Sequence, residues 1–197
     1  MQSESFIPLL YNNFMLKIVA VPNPILASPT KPVIEIDNNI KKIVSDMEKV
    51  LIAQDDPPGV GLAANQVGLD LSIFIIKPTE KSKMKVFINP KIIKSSSVMI
   101  ERSRKDPTKK ESKKKVKLEG CLSIPRIWGP VKRADRVFLN YQDLTGKKYL
   151  KWFSGFEAII IQHEVDHLKG IVFTQRSIEQ KRQLFKEEND ELVKIDY

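Results

Sequence analysis

The sequence predicts an α+β fold: a single domain of mostly antiparallel β-sheets packed around a buried central helix, with an N-terminal helix and a C-terminal helix. Three observations lead there. Apolar residues recur at helical spacing between Ile36 and Gln54. Several short β-branched runs are separated by turn signals. A second helical stretch, bracketed by Gly155 and Gly170, has almost no polar face, and a helix that is apolar all round belongs inside.

In the first helix, Ile40, Ile43, Val44, Met47, Val50 and Leu51 form the apolar stripe. Asp37 is placed to cap its N-terminus, and Asp55-Asp56-Pro57-Pro58-Gly59 stops it. Leu71 to Ile76 reads as a strand, followed by strands at Val86 to Ile88 and Ile92 to Ile100. Further strands are expected at Val131 to Tyr141 and Lys148 to Phe153, joined by a hairpin turn at Asp143-Leu144-Thr145-Gly146. Phe156, Ile159, Ile160, Val165 and Leu168 make up the buried helix. The last stretch, Ile178 to Val193, is highly charged with Leu184, Phe185, Leu192 and Val193 as anchors, and predicts the C-terminal helix.

The 197 residues suffice for one substantial core, and 42% hydrophobic with 29% charged residues is an ordinary globular balance. No apolar run is long enough to cross a bilayer, so no membrane partner is expected. Residues 1–13 lack the positive region of a secretory signal and contain no Arg or Lys, which argues against a transit peptide and for the cytoplasm. The lone Cys121 excludes an internal disulfide and fits a reducing compartment. Much of the net charge of +9 sits between Glu101 and Lys117, where nine Lys or Arg face three acids. A nucleic-acid-binding module would pair its cations with stacking aromatics, and that segment has none, so DNA is not an expected partner.

Both histidines of the chain fall in Gln162-His163-Glu164-Val165-Asp166-His167. Positions i and i+4 lie one above the other on a helix, so both imidazoles can reach one ion. Glu164 is rotated about 100° from His163, beside the ion rather than on it, where a general base would stand. Ionisable groups on a buried helix are costly without partners, and a metal supplies one. Catalytic sites of this kind use three protein ligands. The sequence offers Glu187, Glu188 or Glu191, as in a zinc peptidase, or the thiolate of Cys121, preceded by Gly120.

Three stretches in this order resemble the motifs of peptide deformylases: Gly59-Val60-Gly61-Leu62-Ala63-Ala64-Asn65-Gln66, Glu119-Gly120-Cys121-Leu122-Ser123, and the histidine motif. The similarity divides the chain into an extension over 1–14, a catalytic domain over 15–176 and a C-terminal helix over 177–197. It selects Cys121, with His163 and His167, as the ligands of one divalent metal, iron(II) in the cell with zinc, nickel or cobalt able to substitute. It implies removal of the formyl group from N-formylmethionyl nascent peptides. Glu164 would move the proton, while Gln66 and the backbone N–H of Leu122 would stabilise the oxyanion. Gly61 and Gly120 would flank the peptide backbone as added strands do, and Val60, Phe156 and Ile160 would line the methionine pocket. Glu119 would pair with Arg133 behind the ligands.

Against this resemblance, Arg126 stands where glycine is expected and Glu157 where an aliphatic residue is expected. Residues 102–117 read as a basic insertion: a solvated loop or, as the functional alternative, a transient contact with the ribosome.

Overall fold

The computed structural model describes residues 16–55, 58–101 and 118–196. The N-terminal extension and the basic insertion lie outside the described residues. After a 3₁₀ turn at Pro24–Ala27, the chain forms α1 (Asn38–Ile52), β1 (Gly61–Ala63), a second 3₁₀ turn (Ala64–Val67), β2 (Ile73–Ile76), β3 (Lys85–Ser95) and β4 (Met99–Glu101). Beyond the insertion come β5 (Glu119–Cys121), β6 (Ile124–Gly129), β7 (Lys132–Ala134), β8 (Arg136–Gln142) and β9 (Lys148–Ser154). The chain ends with α2 (Gly155–Leu168), α3 (Phe173–Glu179), β10 (Leu184–Glu188) and β11 (Glu191–Ile195).

All strand pairings are antiparallel. They form a five-stranded sheet in the order β1-β2-β3-β8-β9, a four-stranded sheet β11-β10-β6-β5 and a ribbon of β4 and β7. Thus, among the described residues, β1 and β5 are each the outermost strand of their sheet. α2 packs on one face of the larger sheet, where Phe74, Phe87, Val137, Leu139 and Phe153 meet Ala158, Ile161 and Val165. α1 packs Ile40, Ile43, Val44, Met47 and Leu51 with Leu62, Ile73, Ile75 and Ile88. Each such fully buried side chain contributes about 1.5–3 kcal/mol. A third cluster, with Ile124, Val131, Phe173 and Leu184, seats α3 on the smaller sheet.

The capping expectation holds, since the Asp37 carboxylate accepts from Ile40 N–H at 2.8 Å. The Asp143–Gly146 turn also forms, with Gly146 at φ 80°. Two expected strands merge or divide. Val86 to Ile88 and Ile92 to Ser95 are one strand, with a register shift across Pro90, which has no N–H for the ladder, and another between Ile92 and Lys94. Met99 and Ile100 of the expected Ile92 to Ile100 belong to β4. Val131 to Tyr141 breaks at Asp135, so that β7 and β8 serve different sheets.

The C-terminal helix expected over 177–197 is corrected to the short α3 and a β10–β11 hairpin. The hairpin turns on Asn189 (φ 48°) and Asp190 (φ 63°), a pair suited to two consecutive left-handed positions. It joins β6 through Phe185 opposite Trp128 and Lys186 opposite Ile127. Pairing with a distant strand overrides the helical propensity of a Lys- and Glu-rich stretch. Among the described residues, no helix is long and apolar enough to cross a membrane.

Candidate metal centre and active site

α2 begins at Gly155 and buries both flanks against sheet and loops, so its polar residues are held inside the protein. His167 is fully buried and Glu164 nearly so. β5 brings Cys121 alongside: its Sγ lies 3.1 Å from His167 Nε2. One donor atom each from Cys121, His163 and His167 falls within 4.8 Å of the others. The alternative glutamates are elsewhere. Glu187 accepts from the Trp128 indole N–H at 2.7 Å, and Glu188 pairs with Lys186.

A charged layer orients the ligands from behind. Glu119 is buried, accepts from Arg133 Nε at 2.7 Å, and lies 3.1 Å from His163 Nδ1, which turns the other ring nitrogen of His163 towards the thiol. Arg133 reaches Asp166 at 2.8 Å, and Asp166 is held in turn by Arg176. Burial opposes charge on Glu119, yet Arg133 and His163 together outweigh it and hold the carboxyl at about 2. Burial likewise opposes charge on His163, but the Cys121 thiol and Glu119 push its pKa up to about 10. His167 is driven well below its ordinary value by burial and by His163. The soft thiolate and two imidazoles suit a transition metal or zinc.

Among the described residues, one carboxylate oxygen of Glu164, Oε2, is buried without a hydrogen-bond partner. Burial raises its pKa to about 7 against the lowering effect of His163, a value suited to proton exchange at neutral pH. Gly61 faces it. A Cβ there would collide with Glu164 Oε1 and with Ile160, so β1 approaches the carboxylate only because position 61 is glycine. Gly120 is constrained similarly, because a Cβ would enter the Trp128 ring. Gln66 accepts from Ala63 N–H through Oε1, which aims its amide N–H groups at Cys121 Sγ (3.4 Å) and Ser123 Oγ (3.3 Å).

A cavity of about 320 Å³ opens on this centre. Val60, Gly61, Gln66, Gly120, Cys121, Leu122, Phe156, Ile160, His163 and Glu164 all line it, and His167 lies behind. The cavity lining thus brings the three sequence motifs together and leaves Glu187, Glu188 and Glu191 outside it.

Residues 15–183 match the family described as polypeptide deformylase. The peptide deformylase of Borreliella burgdorferi is 38% identical over 158 residues, which cover 80% of this chain and 85% of that protein. A crystal structure of a plant peptide deformylase superposes with TM-score 0.71 at 35% identity, covering 84% of this chain and 82% of the other. The Acinetobacter baumannii enzyme, solved with Met-Ala-Ser bound, gives 0.69 at 30% identity, with 83% and 98% covered. The chain belongs to the peptide deformylase family. It is accordingly a hydrolase that removes the formyl group from an N-terminal formylmethionine. The metal dependence of deformylases agrees with the Cys121, His163 and His167 group.

Some residues with a part in the site were not singled out as such. Asn65 donates to the His167 carbonyl and anchors the loop before Gln66 to the end of α2. Ser123 accepts from Gln66. Asp166 and Arg176 extend the charged layer. Asp166 was visible as a second carboxylate on an apolar helix, whereas Asn65 and Ser123 stand inside the resembling motifs without any sign of their own bonds. The Glu157 departure also gains an explanation, because its carboxylate pairs with Lys85 and sits in the first turn of α2, where negative charge is favoured. Arg126 adopts φ 60°, a conformation in which glycine would be unstrained.

Proposed function

We propose that Cys121, His163 and His167 hold one divalent ion and that Glu164 is the proton carrier of deformylation. The observation that supports this most is the convergence of three donor atoms within 4.8 Å beside a cavity lined by Cys121, His163 and the buried Glu164, whose Oε2 has no partner among the described residues. Iron(II) is the ion proposed for the cell; zinc binds such ligands more tightly, and nickel or cobalt also fits them, so availability and redox protection decide. When bound, the ion supplies Lewis acidity towards water and the formyl oxygen.

The chain's own residues do the rest. Glu164 takes a proton from water as its oxygen attacks the formyl carbon. The Gln66 amide and the Leu122 backbone N–H donate to the oxygen that becomes negative. As the carbon–nitrogen bond breaks, Glu164 passes the proton to the departing amine, leaving formate and a free methionine N-terminus. Val60, Phe156 and Ile160 hold the methionine side chain, while Gly61 and Gly120 let the two edge strands approach the peptide backbone. The substrates are N-formylmethionyl nascent chains in the cytoplasm, met in transient contact with the ribosome.

Anaerobic purification with metal analysis, coupled to formate release from formyl-Met-Ala-Ser, tests this. Iron and formate are expected together. Glu164→Ala should keep the metal and lose turnover by about 10²–10⁴-fold, and Cys121→Ser should lose or exchange the ion. Near-normal turnover by Glu164→Ala would refute its role. Metal loss in Glu188→Ala but not in Cys121→Ser would refute the ligand set.

A further inference from the structure

α1 covers one face of the five-stranded sheet over β1 to β3, and its apolar cluster includes no residue of β8 or β9. Among the described residues, the same face is therefore open over those two strands. Cross-strand partners share a face, and the register places Lys94, Phe138 and Trp152 in one row, with Lys91, Asn140 and Leu150 in the next. Arg136 opposite Ser154, and Gln142 opposite Lys148, complete it. Trp152 is 49% exposed and Leu150 61%. The Phe138 and Trp152 rings lie 5.3 Å apart at 36°, and the Arg136 guanidinium sits 5.6 Å from the Trp152 centroid.

This face carries four exposed cations, Lys91, Lys94, Arg136 and Lys148, and none of its paired positions is acidic. The nearby Asp135 carboxylate is bonded to Ser96 and lies 4.0 Å from Arg136 Nε, at the edge. The strand leading to the lysine-rich segment is adjacent: Glu101 pairs with Lys132, four residues before Arg136. Counted along the sequence, the excess charge belongs to that segment; in the fold, cations far apart in the chain share a face with the exposed Trp152 and the half-buried Phe138.

We propose that this face binds single-stranded RNA, with a base stacked on Trp152 and phosphates on Lys91, Lys94 and Arg136. Cations alone would attract any polyanion, but an exposed indole beside them favours one that carries flat bases. The proposal rests on the deformylase reading only in choosing RNA, the nucleic acid at hand where new chains are made.

The test is titration of the full-length protein with labelled single-stranded RNA, followed by anisotropy, with formate release measured in parallel. Wild-type binding should weaken steeply between about 50 and 200 mM salt. Trp152→Ala should weaken it roughly tenfold, Trp152→Tyr should retain most of it, and Lys94→Glu with Arg136→Glu should weaken it further and flatten the salt dependence. Turnover on a short formyl-methionyl peptide should stay unchanged in all three, which also reports correct folding. No RNA binding at low salt, unchanged binding in Trp152→Ala, equal affinity for base-free polyphosphate, or loss of binding only when 102–117 is deleted would each overturn the assignment. Failure of formate release with RNA binding intact would count against the deformylase reading alone.

Discussion

α1 and α2 are almost equal in length, 15 and 14 residues, and differ in what they bury. α1 buries five apolar side chains and leaves its charges, among them Asp46 with Lys42 and Lys49, on the outside. α2 buries apolar residues all round and also encloses Glu164, Asp166 and His167. The first helix is held by transfer of apolar surface out of water. The second encloses charges that cost stability unless each is paired, so its ionic layer serves position rather than strength. Substitutions on the two helices and their partners should therefore fail in different ways.

Removing one partner of the charged layer should do the most damage. Glu119→Ala leaves Arg133 half-paired inside the protein and frees the His163 ring. It should cost about 3–5 kcal/mol and weaken metal affinity about 10–100-fold, read by denaturant unfolding and metal competition. Equal stability with full metal content would erase the contrast between the helices. Met47→Ala, fully buried in α1, should cost about 2–5 kcal/mol in the same unfolding experiment. Turnover per folded molecule should stay at the wild-type value, because that helix supplies packing and no chemistry.

Asp37→Ala removes the cap of α1 and should cost about 1 kcal/mol. The smallest effect is expected at Asp46, whose pKa is lowered chiefly by its hydrogen bond from Lys49. A carboxyl whose folded pKa is depressed adds stability above its unfolded value and loses it as pH falls through the folded one. The difference between wild type and Asp46→Asn should thus be a few tenths of a kcal/mol near neutrality and vanish in acid below the ordinary Asp range. A difference that grows in acid would mean that the folded-state pKa of Asp46 is raised instead.

The same contrast explains what the sequence revealed. α1 was legible because a stripe, a cap and a Pro-Pro stop agree over one short window. α2 was legible as buried, and its paired histidines as a candidate site, because the residues concerned lie within six positions. The third ligand was not fixed by spacing, since Cys121 lies 42 residues before His163 and the glutamates were equally available; the resemblance chose, and β5 brings the thiol there. The C-terminal hairpin was misread because its decisive pairing is with Trp128 and Ile127, remote in the chain, although Asn189-Asp190 offered a turn signal. The basic sheet face was invisible for the same reason: Lys94, Arg136 and Trp152 become neighbours only through strand register.

β1 and β5, which end their respective sheets, both border the cavity through Gly61 and Gly120. An extended peptide laid between them would serve as a missing rung for each sheet and join the two across a seam. Main-chain rungs are alike in every polypeptide. Beyond the first side chain, such an arrangement reads the shape of a strand rather than its spelling, which is what a catalyst facing the beginnings of many different proteins requires.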